Sequence, residues 1–193
     1  LRVTAIDRLK DNDSMVAYEK LAAELNVLPE IDYERVTLMK WEYLKAVFLQ
    51  SGKKTLNSSG FKEFFKANRE WLEPYAAYCC LRDIYETPDF RKWKMYSVFN
   101  PDDIAEFCAC GNIYYDKVSF YYFVQYHLHI QLLEVRDYAH AKGIVLKGDI
   151  PIGVSRDSVD AWSHPELFYM DSQAGAPPDD FSVEGQNWGF PTY

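Results

Sequence analysis

The residue best suited to acid chemistry lies late in the chain, directly after a short apolar segment. Asp149 follows the apolar run 144–146, Lys147 and Gly148. A helix, a glycine and then an apolar run without alternation are typical of a buried parallel strand. In folds built of strands and helices, functional groups collect at the carboxyl ends of parallel strands. Asp149 is therefore a candidate active-site acid, and the alternative is a turn aspartate that bonds its own backbone.

A second group of functional side chains lies in residues 169–193, called here the aromatic loop. The apolar residues of this segment show neither helical nor strand periodicity, and an irregular segment of this length is commonly a lid or a binding loop. Aromatic rings alternate there with carboxylates and amides, among them Asp179, Phe181, Gln186 and Trp188. Rings suit the C–H face of a sugar, and carboxylates and amides suit its hydroxyls. The alternative is a compact loop packed by its own aromatic side chains.

Helices must position these groups, because most of the preceding sequence has helical spacing. Asp32 is a good cap for a helix from Tyr33 to about Gln50, followed by Gly52. Ser59 can cap a short helix, and a separate apolar helix is expected to begin at Pro74.

Three further helix signals lie in the second half of the chain. Asn100-Pro101, followed by two aspartates, predicts a helix start with a cap and acids at the positive dipole end. Apolar residues at spacings of three and four predict a helix from about Tyr115 to Lys142, with Gly143 as its left-handed C-cap. Residues 157–162 predict a short capped helix.

The fold class predicted from these patterns is mainly α with a minor parallel β element. Apart from the run 144–146, the only strand candidate is residues 2–6. One or two strands cannot form a stable parallel sheet, so we expect the remaining strands to lie outside these 193 residues. The start at Leu1 and the end within a loop at Tyr193 agree with a piece of a longer protein.

Composition argues against several functional classes. The net charge is −8 and the 21 lysines and arginines are scattered, which disfavours nucleic-acid binding. No stretch approaches the length of a membrane span, and the first residues do not resemble a signal peptide. His127 and His129 point to different sides of a helix, so no metal site is expected, and no cofactor motif occurs. The four cysteines are interpreted as buried, reduced thiols of a cytoplasmic protein.

The sequence resembles the 4-α-glucanotransferases of glycoside hydrolase family 77, the amylomaltases or disproportionating enzymes. Five motifs carry the resemblance in order: GDIPI at 148–152, DSVDAW at 157–162, PELF at 165–168, GAPPD at 175–179 and GQNWG at 185–189. The ending NWGFPTY is most similar to the plant cytosolic, maltose-using type and its bacterial relatives. Less specific similarity extends upstream to LPEIDY at 28–33 and WLEPY at 71–75.

The resemblance implies a fold and a division of the chain. It implies a partial (β/α)8 barrel with an inserted helical subdomain. Residues 1–142 would form most of the helical insertion, and residues 143–193 a barrel strand and an active-site loop. The family's nucleophilic aspartate lies in an Arg-x-Asp-His segment that is absent here, and its acid/base glutamate is also absent. We therefore expect the isolated chain to be inactive.

The resemblance also implies the substrates and the site residues. Maltose, maltodextrins and other α-1,4-glucans would be the substrates of a retaining transfer. Asp149 would contact the glucose next to the cleaved bond, and Asp179, Phe181, Gln186 and Trp188 would belong to a mobile loop over the glucan. Asp180 departs from the family, which usually has tyrosine there. The alternatives are an α-glucan hydrolase of the same clan and a non-catalytic glucan-binding module.

Overall fold

A computed structural model describes residues 1–193 and is mainly helical. The α-helices are α1 (Asn12–Asn26), α2 (Tyr33–Leu56), α3 (Ser59–Tyr85), α4 (Pro101–Phe107), α5 (Tyr115–Ala141) and α6 (Val159–Ser163). Short 3-10 helices occupy Val3–Ala5, Phe90–Lys92 and Pro165–Leu167. The only sheet pairs β1 (Gly175–Ala176) antiparallel with β2 (Gln186–Asn187). No helix carries an apolar stretch with the length and hydropathy that a bilayer crossing needs.

The chain divides into two compact units. The first comprises residues 1–69 and 119–146, and its core contains rings from α2, α3 and α5. The ring of Phe48 lies 5.4 Å from the rings of both Phe120 and Phe123, and Phe65 lies 5.1 Å from Tyr122. Edge and tilted arrangements of this kind are the favourable ones for aromatic pairs. Aromatic residues make up 17% of the chain, and part of this high content packs the core of the first unit.

The second unit comprises residues 70–118 and 147–193 and has its own aromatic core. The indole of Trp162 on α6 is 1% exposed and lies 5.6 Å from Trp93, 5.8 Å from Tyr78 and 5.0 Å from Phe99. Its Nε1 donates to the carbonyl of Tyr96 at 2.8 Å, so the buried polar group is satisfied. This cluster fixes α6 and thereby the segment that leads to the aromatic loop.

Four of the helix ends predicted from local chemistry are confirmed. The cap predicted at Ser59 is wrong, because α3 begins at that residue and the hydroxyl of Ser58 accepts from the amide of Phe61 at 3.2 Å. The Asp32 side chain accepts from the amide of Arg35 at 3.0 Å, and Asn100 accepts from two first-turn amides of α4. Ser158 caps α6. Gly143 has φ +72°, and the amide of Ile144 donates to the carbonyl of Ala139 across the turn. This bond completes a Schellman ending of α5.

Two helix predictions were wrong because packing overrides local breakers. Helix α2 does not end before Gly52 but continues to Leu56, and Gly52 lies buried inside it. A Cβ there would lie 2.5 Å from the Phe48 ring, so the glycine provides room for that ring. The short helix from Ser59 and the helix from Pro74 are one helix, α3, with the proline inside. Leu72 and Ala76, which flank Pro74, are fully buried and favour continuation.

The predicted parallel strand is also absent. Residues 144–150 have no regular secondary structure, and Ile144, Val145 and Leu146 are 55%, 81% and 48% exposed. The other strand candidate, residues 2–6, contains a 3-10 helix instead. A parallel strand needs a neighbour on at least one edge for its hydrogen bonds, and no strand of this chain lies beside this run. The exposed apolar run has the composition of a strand without the partners that would form one.

The cysteine prediction holds for three of the four thiols. None of the four forms a disulfide, and Cys79, Cys80 and Cys108 are buried, but Cys110 is exposed. Burial raises the pKa of Cys80 to about 12, which keeps this thiol protonated and inert.

The half-buried ring of His127 leads us to expect a loss of stability in acid. Its Nε2 has no hydrogen-bond partner, and its ring lies 4.4 Å from Phe123 and 5.6 Å from Tyr126. Burial lowers its pKa from 6.5 to about 4. Between these values the unfolded chain binds a proton that the folded chain does not, so the free energy of unfolding falls as pH drops from 6.5 to 4. The loss is about 1–2 kcal/mol, allowing for partial solvent screening of the ring.

Urea unfolding at pH 7.0 and 4.5 measures this effect. His127→Phe should lose less stability than the wild type over this interval, whereas His140→Gln, at an exposed position on the same helix, should lose as much as the wild type. Equal losses of unfolding free energy in the His127→Phe variant and the wild type would contradict the assignment of this pH dependence to His127.

Candidate functional site

The aromatic loop is closed at its base by hydrogen bonds between two antiparallel arms. The amide of Tyr169 donates to the carbonyl of Thr192 at 2.8 Å. Further along, the amide of Ala174 donates to Phe190, and the amide of Trp188 donates back to Ala174, both at 3.0 Å. Strands β1 and β2 continue the pairing, with Gly175 opposite Asn187 and Ala176 opposite Gln186. The segment predicted to be irregular therefore has a defined hairpin-like neck, which the sequence period did not reveal.

Glycines make this neck possible. A Cβ on Gly175 would lie 2.0 Å from the carbonyl oxygen of Gln186, so the two arms approach too closely for any side chain. Gly185 has φ +74°, and a Cβ there would lie 2.6 Å from the carbonyl oxygen of Ala176. Both positions require glycine for steric reasons, and the second also requires it for its backbone conformation.

The tip of the loop is built around Asp179. Its Oδ1 accepts from the amides of Phe181 at 2.9 Å and Ser182 at 2.7 Å, and its own amide donates to the carbonyl of Ser182 at 3.0 Å. This is the turn geometry that aspartate favours. The turn projects the Phe181 ring outward, where it is 96% exposed. Asp179 thus holds the tip with one carboxylate oxygen, and Phe181 is an apolar ring presented to solvent.

Gln186 and Trp188 form a joined pair on the second arm. The indole Nε1 of Trp188 donates to Oε1 of Gln186 at 2.9 Å, and the indole lies 5.9 Å from the ring of Phe190. The indole is 42% exposed. The arrangement presents a partly exposed ring beside an amide, as expected for a surface that binds a ligand with both apolar and hydroxyl faces.

Asp149 lies outside this cluster. Its side chain is exposed, and its Oδ1 accepts from the amide of the next residue, Ile150, at 3.1 Å. It makes no hydrogen bond or ion pair with the four predicted residues of the aromatic loop. The structure therefore groups Gln186 with Trp188 and Asp179 with Phe181, and leaves Asp149 on the extended segment that precedes them.

That extended segment is nevertheless tied to the loop at three points. The Tyr193 hydroxyl donates to the carbonyl of Ile152 at 2.9 Å. The ring of Phe190 covers Gly153 so closely that a Cβ there would lie 2.3 Å from it. Arg156 donates to backbone carbonyls of both loop arms. Sequence patterns missed these contacts because each joins residues far apart in the chain.

Comparison with known proteins decides the family. The sequence model of the 4-alpha-glucanotransferase family matches residues 2–193. The chain belongs to this family. It is 47% identical over 164 residues to the 4-alpha-glucanotransferase DPE2 of Oryza sativa subsp. japonica, covering 85% of this chain and 17% of that protein. It is 32% identical over 193 residues to the 4-alpha-glucanotransferase of Chlamydia muridarum, covering 98% of this chain and 36% of that protein.

Among solved structures, this glucanotransferase-family chain is similar to an amylomaltase from Streptococcus agalactiae in complex with acarbose. The TM-score is 0.69 at 25% identity, and the match covers 93% of this chain and 40% of the amylomaltase chain. The chain therefore spans well under half the length of each of these relatives.

Proposed function

We propose that this chain is part of a 4-α-glucanotransferase that moves α-1,4-glucan units from maltose or a maltodextrin to a glucan or glucose acceptor. The observation that carries the proposal is the match to the family over residues 2–193. A solved relative that holds acarbose, an oligosaccharide, supports α-glucans as ligands of this member. The cysteines, none of which forms a disulfide, agree with action in the cytoplasm.

The same comparisons support the architecture that we propose. We place residues 143–193 in a (β/α)8 barrel that other segments of the parent protein complete, and residues 1–142 in a helical subdomain inserted into that barrel. The exposed run 144–146 supports this placement, because its apolar composition suits a strand flanked by neighbours on both sides. In the complete barrel, the aromatic loop and the segment that carries Asp149 then lie at the active site.

The proposed chemistry is a retaining transfer in two displacements. In the first, a carboxylate of the parent protein attacks the anomeric carbon, the C1–O4 bond of the donor breaks, and an acid of the parent protonates the departing O4. In the second, the 4-hydroxyl of the acceptor attacks C1, its proton passes to the same acid/base residue, and the carboxylate leaves. Transfer rather than hydrolysis requires that the acceptor, and not water, occupies the site in this second step.

The loop residues have separate roles in this scheme. The Trp188 ring stacks on a pyranose, and the amide nitrogen of Gln186, whose oxygen accepts from the indole, bonds a hydroxyl. Phe181 covers an apolar sugar face at the tip, and the second carboxylate oxygen of Asp179 accepts from a hydroxyl. Asp149 binds the glucose beside the cleaved bond. A loop held by its own hydrogen bonds loses little freedom when it closes on the acceptor, which favours transfer.

The proposed function is tested with Trp188→Ala in the full-length protein, using maltose as donor and glycogen as acceptor. We expect the wild type to release glucose and elongate the glycogen. Losing the stacking ring should raise the acceptor KM about tenfold, or shift the products toward hydrolysis by a similar factor. Products are separated by chromatography after incubation with radiolabelled maltose.

Trp188→Phe is the matched control, because it keeps an aromatic face while removing the indole N–H and part of the ring area. It should stay close to the wild type. An unchanged acceptor KM together with an unchanged ratio of transfer to hydrolysis in Trp188→Ala would remove the proposed role of the ring. Absence of glucan transfer by the wild type would contradict the proposed function itself.

A further inference from the structure

A single side chain, Arg156, joins the two arms of the aromatic loop. Its Nη1 donates to the carbonyl of Met170 and its Nη2 to the carbonyl of Ser172, both on the first arm. Its Nε donates to the carbonyl of Gly189 on the second arm at 3.2 Å. No backbone amide donates to any of these three carbonyls. One guanidinium therefore satisfies three carbonyl groups that the hairpin ladder leaves open.

The geometry of the side chain explains why arginine suits this position. A guanidinium presents five N–H donors in a rigid planar fork, so one group can reach acceptors in several directions at once. A lysine ammonium is a compact point charge and does not reproduce that fork.

The backbone that follows Arg156 is held in place by contacts with other parts of its unit. The carbonyl of the next residue, Asp157, accepts from the buried hydroxyl of Tyr78 at 2.6 Å. The Asp157 carboxylate pairs with Arg91 at 2.9 Å, and Ser158 then caps α6. A side chain that reaches into a loop from backbone fixed in this way can hold that loop in one place.

The second arm carries the residues that the hydrogen bonds of Arg156, called here the clamp, would position. Gly189 follows Trp188 directly, and the Trp188 indole is bonded to Gln186. Fixing the Gly189 carbonyl therefore fixes the backbone that bears both side chains.

We propose that Arg156 is a positioning residue that holds the two arms of the aromatic loop together, so that Gln186 and Trp188 meet the acceptor sugar in a set orientation. The effect on catalysis rests on the proposed function, whereas the joining of the two arms by Arg156 does not depend on it. The clamp acts on acceptor binding, because it holds the arm rather than any group at the broken bond. Orientation of this kind lowers the cost of ordering the site when the acceptor arrives.

The test uses the full-length protein with Arg156→Ala and Arg156→Lys, and Arg136→Ala as the matched control. Arg136 is an exposed arginine that pairs with its neighbour Asp137 on α5 and contacts no part of the aromatic loop. The first readout is hydrogen exchange at the amides of Ala174 and Trp188, which bond across the arms. We expect exchange about tenfold faster in Arg156→Ala, with an intermediate value in Arg156→Lys and no change in Arg136→Ala.

The second readout is transfer kinetics. We expect the acceptor KM to rise about fivefold in Arg156→Ala while kcat at saturating acceptor changes less than twofold. Millimolar guanidinium, far below the molar concentrations that unfold proteins, should partly restore both readouts in Arg156→Ala. A general loss of folding would not raise KM while sparing kcat, and guanidinium would not reverse it. If the alanine variant does not fold, Arg156→Lys tests the proposal, because it keeps the aliphatic chain and the charge but lacks the planar guanidinium.

The failures of the two proposals are distinguishable. Unchanged exchange at Ala174 and Trp188 in both Arg156 variants would overturn the clamp, whatever the activity. Faster exchange with an unchanged acceptor KM would overturn its role in acceptor positioning. A wild type that transfers no glucan would refute the proposed function and leave the exchange result to decide the clamp.

Discussion

Asp149→Asn in the full-length protein is expected to lower kcat/KM for the proposed glucan transfer about a hundredfold. The carboxylate is exposed, and one oxygen accepts from the Ile150 amide at 3.1 Å. The other oxygen is available to sugar hydroxyls. Hydrogen bonds from hydroxyls to a charged group contribute about 1.5–3 kcal/mol. Since about 1.4 kcal/mol corresponds to a factor of ten, the loss of about 3 kcal/mol lowers kcat/KM about a hundredfold.

The asparagine variant is the sharpest form of this test, because it keeps the shape of the side chain and its bond to Ile150 while removing the charge. Initial rates of glucose release from maltose, measured over a range of maltose concentrations, give kcat/KM. Asp160→Asn, at an exposed position on α6, is the matched control and should retain full activity. Equal kcat/KM in Asp149→Asn and the wild type would place Asp149 outside the active site and favour the turn interpretation.

Local chemistry made much of this fold predictable. The caps at Asp32, Asn100 and Ser158 and the glycine ending at Gly143 each involve residues within a few positions of one another, so the sequence alone determines them.

Elements that depend on distant partners were not predictable in the same way. Gly52 and Pro74 interrupt a helix in isolation, but burial of their neighbours carries α2 and α3 through them. The run 144–146 has strand composition but no strand of this chain beside it, so no strand forms there in the structure. Propensity describes what a segment prefers, and tertiary contacts decide whether that preference is realised.

The candidate site shows the same division. Residue types in the aromatic loop predicted the candidate side chains, whose role in binding stays a prediction, and the structure brings two of them, Gln186 and Trp188, into contact. The elements that hold them were missed. Arg156 reaches Gly189 across 33 positions, and the neck depends on contacts between Gly175 and Gln186. Neither contact leaves a periodic pattern in the sequence.

Gly175→Ala is expected to disable the loop without unfolding the protein. The new Cβ would lie 2.0 Å from the carbonyl oxygen of Gln186, which is far inside van der Waals contact. Because that oxygen belongs to the backbone, no side-chain rotation relieves the clash, and β2 must move away from β1. The movement displaces Gln186 and Trp188 together, and misplacing positioning groups by about 1 Å costs about a hundredfold in rate.

Gly111→Ala is the matched control, since a Cβ at that position meets no atom within 4 Å. In the full-length protein, we expect Gly175→Ala to lose about a hundredfold in transfer rate and Gly111→Ala to lose little. Circular dichroism should show unchanged helix content in both variants, because the loop contains no part of α1–α6. A Gly175→Ala enzyme with wild-type transfer kinetics would mean that the close approach of the two arms is not needed for activity. The loop would then have to act through its tip, where Asp179 and Phe181 lie, rather than through the second arm.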